Sequence, residues 1–407
     1  MRITEHADTS REAAKASSAP TVAPVFVLFF AMTPDAASQL ATTPAGLEPM
    51  PERTAQSYRS QMDSVQRHLL GESYAQATRL ERTAVGRLRL PDGPHALTHA
   101  DIFLAIHQCG AAVWEVCLFG PPQPIDVARW VGWLDLATAS SPARIIWDTL
   151  AAGGQRSAPM AELYMPLAVL RFGDGPLGAL VERHDRDLVT LLHRDASGGR
   201  FKASFVRDEL AADFCRREDS AWLLARNGAL HVQAHSHDSE EWTLPHDALP
   251  LLLTLEVLCF DRAVLRSFLV RIARRAHGTV GDLIQLRRDI FENLEDYYGT
   301  LAQTHGYTAD AIARGETLFG IDDLFEAVVD RLEALSFEIT TGNQESVNRL
   351  GLWLTTAFGA IDTGFVASSI ATWYYPTNVL AVLSWTVGVT VVAALAIASF
   401  MRWKMKP

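Results

Sequence analysis

The sequence predicts an α/β domain, built on a mixed sheet with an antiparallel meander, followed by a long stalk helix and two transmembrane helices. Three observations carry that reading. Two apolar runs close the chain, Leu350–Trp373 and Val379–Met401, with the hinge Tyr374–Asn378 between them. No proline lies between Gly306 and Pro376, so nothing stops the helical pattern that begins near Ile321 before it reaches the first run. Upstream, from Val22 to His235, short apolar stretches alternate with Gly, Asp and Pro, the pattern of strands, short helices and turns.

Taken in order, residues 1–20 are rich in Ala, Ser, Thr and charge and read as a disordered lead. Val22–Met32 is an unbroken apolar run that suits a strand buried on both faces. A secretory signal is the alternative, but the region before it is long and carries Glu5, Asp8 and Glu12. A polar, proline-punctuated stretch leads to a helix over Thr54–Leu70. Ile102–Leu118 is mainly apolar and contains Gln108-Cys109-Gly110, with Val113, Trp114, Val116, Cys117 and Leu118 suiting a buried strand. Pro124–Leu136 then reads as a helix with Ile125, Val127, Trp130, Val131 and Leu134 inside. Pro142 opens another, burying Ile145, Ile146, Trp147 and Leu150. Leu163–Phe172, Leu177–Glu182, Asp187–Arg194 and Arg200–Val206 are expected as the strands of the meander. Ala221–Arg226 and Ala229–His235 flank Asn227-Gly228, a strong hairpin signal.

The α/β domain so defined spans 21–245. A helical and stalk region, 246–349, follows, with helices over Asp247–Ala276, Val280–Thr304 and from Ile321 onward. Ile321, Leu324, Val328, Leu332, Leu335 and Ile339 form one apolar seam, which calls for neighbouring stalks. Unbroken to Trp373, this helix would be roughly 80 Å long. Residues 350–407 make a two-helix transmembrane domain with a basic tail.

Val379–Met401 carries no charge and is long enough for a hydrocarbon core of about 30 Å. Arg402, Lys404 and Lys406 stop it, and Arg349 precedes the first run, so both termini are expected in the cytoplasm of a multi-pass inner (plasma) membrane protein. The first run holds one acid, Asp362. A carboxylate at that depth needs water or a partner, so it reads as functional; a protonated Asp bonded between helices is the alternative. Asn348, Thr355, Asp362 and Ser369 recur every seven residues and share one helical stripe. Such a stripe fits a water-filled axis. One copy offers two spans, too few to enclose it, so an oligomer in the lipid bilayer is implied.

The formal net charge of −11 and pI near 5.6 exclude a nucleic-acid partner. The four cysteines form no CxxC pair, consistent with a reducing compartment. No Gly-rich phosphate loop, Ser-His-Asp order or metalloprotease motif is present, so no enzyme activity or organic cofactor is expected.

An α/β domain, a stalk helix running into the first span, a short outer loop, a second span and a basic tail together resemble the CorA superfamily of two-span divalent-cation transporters. The likeness covers the chain from Asp247 to its end. It implies a homopentamer whose first span lines the pore, with a divalent cation (Mg2+, or Zn2+, Co2+ or Ni2+) as the transported or regulatory ion. Family members carry Gly-x-Asn and an aromatic where the first span ends. Here Ser369-Ile370-Ala371-Thr372-Trp373 stands there, with Trp373 for the aromatic and Thr372 near the asparagine's place. The pore-lining set is then Asn348, Thr355, Asp362, Ser369 and Thr372. A receptor or scaffold that keeps the architecture without transport is the second reading.

Two further metal candidates arise from spacing. His231, His235 and His237, with Asp238 beside them, alternate along an expected strand and could ligate zinc, or could form a solvated face. Asp322, Asp323 and Glu326 at the stalk's start could sense a cytosolic metal, or serve as ordinary N-terminal helix acids. Arg271, Arg274, Arg275 and His277 read as a solvated helix end.

Overall fold

The structure, a computed structural model, describes residues 21–32, 44, 46–70, 81–91, 96–106, 110–152, 163–172, 175–195, 200–234, 248–275, 281–288, 290, 307–374 and 379–404. The expected lead, 1–20, lies outside them. Two compact units emerge: residues 1–274 with 288–331, and residues 275–287 with 332–407. The expected divisions at 245 and 349 fall inside these units.

The first unit is built on one mixed sheet. Its strands are β1 (Thr21–Met32), β2 (Glu81–Arg89), β3 (His99–Ile106), β4 (Ala112–Phe119), β5 (Gln123–Pro124), β6 (Leu163–Phe172), β7 (Ser220–Ala225) and β8 (Gly228–Gln233). They lie in the order β2-β3-β4-β1-β6-β8-β7, with β5 pairing the start of β1. Every pairing is antiparallel except β6–β8. The apolar run Val22–Met32 is therefore the central strand, as expected. Its two faces explain its composition: side chains alternate, and helices cover both sides.

On one face Phe26 meets Trp130 and Trp133 edge-on, at 6.2 and 5.8 Å, while Phe30 stacks on Trp147 and Tyr164. Among the described residues five helices cover this side: α2 (Val127–Trp133), α3 (Pro142–Ala152), α4 (Leu177–Arg183), α5 (Asp185–His193) and α6 (Ala203–Ala211). On the other face lie α1 (Glu52–Leu70), α7 (Leu249–Arg275) and α8 (Tyr307–Phe319). Tyr58 of α1 stacks on Phe103 of β3, Glu256 of α7 pairs with Arg82 of β2, and Arg314 of α8 donates to the Leu224 carbonyl of β7. α7 is buried over most of its length, which accounts for its apolar residues all round.

Three of the expected strands, Leu177–Glu182, Asp187–Arg194 and Arg200–Val206, are corrected to helices α4, α5 and α6. Leu177 and Leu180, and Leu188, Leu191 and Leu192, recur at spacings of three and four and are buried as one helical stripe. The antiparallel meander is instead early, β2-β3-β4. The strand expected over Val113–Leu118 is β4, and the apolar residues before it form its antiparallel partner β3: Ala105 pairs with Val113, and Gly110 takes φ 85°, a conformation open to glycine. The hairpin at Asn227-Gly228 stands as expected, with Ala225 opposite Gly228.

Two helices complete the chain, α9 (Ile321–Tyr374) and α10 (Val379–Lys404). α9 runs 54 residues without a break, close to the expected Ile321–Trp373. Gly320, at φ 62°, separates it from α8, which sequence reading did not foresee. Of the expected helix Val280–Thr304, residues 281–288 are helical, and most of the remainder lies outside the described residues. Of the seam residues, Val328, Leu332 and Leu335 are buried.

Candidate functional site

The second unit contains the apolar half of α9 and the whole of α10. Among the described residues one helix, α10, is long and apolar enough to cross a membrane, over Val379–Ala396 with a mean hydropathy of 2.2. The two helices meet where glycine allows it. A Cβ on Gly364 would lie 2.0 Å from Thr390 Oγ1, so the α9 backbone sits directly against α10 there. Gly364 and Ala371, seven residues apart, are the buried stripe of this contact.

Asp362 and Ser369 also lie seven residues apart, and both are exposed. At 3.6 residues per turn, Asp362 and Ala371 are about 180° apart on the helix. The polar stripe thus points away from α10. Phe358 and Phe365, 62% and 67% exposed, lie along one side of it. Thr372 is exposed about 80° round from Asp362, at the edge of the same face. Asn348 and Thr355 lie in α9, in register with Asp362, but their side chains are outside the description.

The hydroxyls near this face are internally satisfied. Ser369 Oγ donates to the Phe365 carbonyl (3.1 Å) and Thr372 Oγ1 to Ser368 (2.8 Å). Thr363 does the same to Gly359, 2.7 Å away. Each donor is spent four residues back along the helix, which leaves oxygen lone pairs for an outside donor. Water around a hydrated cation, or the cation itself, suits such a surface.

The close approach makes a test. Gly364→Ala is expected to spread α9 from α10 and lower the thermal midpoint of the purified protein in detergent. Gly351→Ala, where a Cβ meets open space, should be neutral or stabilising by up to about 1 kcal/mol.

The histidine candidate has a different character. His231 is fully buried on β8, edge-on to Trp222 at 6.1 Å, and neither ring nitrogen has a hydrogen-bond partner. It is not on a solvated face. Burial first, then Arg171 and Arg217, lower its pKa to about 4. His235, His237 and Asp238 lie outside the described residues. Among the described residues no three His, Cys, Asp or Glu side chains converge to hold a metal ion. Asp322, Asp323 and Glu326 are exposed in the first turns of α9, where acids complement the helix dipole.

His231 has a consequence for acid stability. Its folded pKa is depressed, so its stabilisation is present above pH ~6.5 and lost as pH falls toward about 4. The loss is on the order of 3 kcal/mol. His231→Phe is expected to flatten this acid limb in denaturant titrations run across that window.

Comparison of the chain with protein-family models, curated proteins and solved structures returns no match.

Proposed function

We propose that this chain is the subunit of a homo-oligomeric, CorA-like membrane channel for divalent cations, a homopentamer with α9 around the axis. The observation that carries the reading is the stripe Asp362–Ser369, set on α9 opposite the α10 contact. In hydrocarbon a carboxylate facing away from its own partner helix is costly unless other copies and water cover it. Several copies of α9 arranged around an axis would meet that need and bring the carboxylates to line it. The basic tail and Arg349 support a topology with both termini in the cytoplasm of the inner (plasma) membrane. In this reading α9 from about Leu350 is the first span and α10 the second.

The test is ion flux into liposomes containing the purified protein, with magnesium, zinc, cobalt and nickel offered separately. Native mass spectrometry of the same preparation gives the copy number. Flux of at least one divalent ion by a pentamer is the expected result. A monomer or dimer as the dominant species removes the axis and the channel with it.

One observation favours a second reading. Ser369-Ile370-Ala371-Thr372-Trp373 stands where the family carries Gly-x-Asn, so the outer selectivity ring differs. A pentamer without flux of any of the four ions would support a receptor or scaffold that keeps the architecture.

A further inference from the structure

A second group of buried charges sits far from Asp362 in sequence, between the sheet and α7. Arg82 reaches in from β2, Glu115 from β4 and Glu256 from α7. The Arg82 side chain is 4% exposed and that of Glu256 fully buried, and Nη2 of the guanidinium lies 2.6 Å from Glu256 Oε2. The other nitrogen, Nη1, donates to Gln66 of α1 and lies 3.7 Å from Asp63. Glu115 is 1% exposed, and neither of its oxygens has a hydrogen-bond partner; nor does Glu256 Oε1.

The neighbouring charges do not relieve this pair. Arg87 of β2 is held by both oxygens of Asp101 on β3, at 2.6 and 3.0 Å. Arg262 of α7 donates to the Phe319 carbonyl of α8. Asp261 of α7 is itself buried and faces Glu316 of α8, which adds negative charge. Cys117 and Cys259, from β4 and α7, are free thiols buried in the same layer. Glu256 therefore takes the guanidinium, and among the described residues no cation bonds Glu115 beside it in this dry interface.

We propose that Glu115 and Glu256 form a proton-binding pair that seats α7 on the sheet and makes this unit sensitive to pH. The pair binds a proton when α7 is docked and releases it when the interface opens to water. Burial, and then the charge of Glu256, hold Glu115 well above the usual carboxylate range. Burial also raises Glu256 despite Arg82. Raised carboxylate pKa values fix the sign: the stabilisation is complete below the ordinary Glu range, pH ~4.3, and is lost as pH rises through the folded values. The interface should therefore loosen toward alkaline pH, the reverse of the His231 dependence. This inference stands independently of the channel reading.

The experiment is hydrogen–deuterium exchange of the full-length protein in detergent, following peptides from Leu249–Arg275 between pH 5.5 and 9 after correction for intrinsic exchange. In wild type, protection of α7 should fall at least about tenfold as pH rises, the equivalent of one pKa unit of linkage. Glu115→Gln, which keeps shape and removes the titration, should abolish that slope. An unchanged slope in the variant, or no slope in wild type, overturns the proposal. If Glu115→Gln does not fold, infrared spectroscopy of wild type gives a second reading. A carbonyl band of protonated carboxylic acid that is present at pH 7 and titrates away with the α7 protection supports the pair; absence of that titration overturns it.

Discussion

Replacing Glu256 by alanine is expected to unfold the sheet unit under conditions where wild type is stable. The substitution removes the partner of Arg82 and leaves a guanidinium 4% exposed, without its 2.6 Å carboxylate. Breaking one side of a buried ion pair costs about 3–5 kcal/mol, a large fraction of the 5–15 kcal/mol that holds a typical domain. The loss is mostly the uncompensated charge, so the pair taken together has a different fate. A double variant, Arg82→Met with Glu256→Leu, removes both charges and keeps the volume. It should be close to wild type or better, since apolar replacement of a buried pair is commonly neutral or stabilising. Guanidinium titration followed by tryptophan fluorescence checks both. Equal destabilisation by the single and double variants would mean that shape, not charge, holds α7 in place.

The second large effect is expected at Asp362. Asp362→Asn is nearly isosteric and removes the charge from the exposed stripe of α9. A divalent ion about 4 Å away through water gains about 2 kcal/mol from each carboxylate. Loss of that attraction from every subunit should cut flux at least about tenfold, with assembly intact. The effect should be larger at low ionic strength, because salt screens it. Reconstituted flux at matched protein-to-lipid ratio, with native mass spectrometry on both samples, decides it. Equal and nonzero flux in wild type and variant would show that this carboxylate does not control permeation. If neither protein conducts, the channel itself is refuted and Asp362 is better read as a bonding group between helices.

Much of the architecture was legible because single segments declare themselves. The central strand was visible from its unbroken apolar run, the hairpin from Asn227-Gly228, and α9 from the absence of proline before Pro376. Helices α4 to α6 were not, since seven to nine residues give barely two turns in which to tell a period of 3.6 from one of 2. β2 was missed because its sequence, Glu81-Arg-Thr-Ala-Val-Gly-Arg-Leu-Arg89, carries four charges, and two of them, Arg82 and Arg87, point inward to buried acids. Asp362 was found by asking why an acid stands in an apolar run. The same question would have found Glu115, inside Ala112–Phe119, and Glu256, inside Leu251–Phe260. What no local reading supplies is that Glu256 meets Arg82 and lies near enough to Glu115 to repel its charge, because the fold brings them together.

The Arg82–Glu256 bond joins residues 174 apart in the chain. As the protein emerges from the ribosome, the sheet can complete its strand order once β8 is out, yet one face is covered only by α1 until α7 follows. During that interval Val25, Val27 and Phe29, together with Arg82 and Glu115, have no cover from α7, and the nascent chain offers a broad sticky surface to other chains and to chaperones. α10, the most apolar helix, comes last. Synthesis order thus allows the sheet's open face to be closed before the most apolar helix appears. A truncation ending ahead of Leu249 should therefore aggregate when expressed even though it contains every described strand.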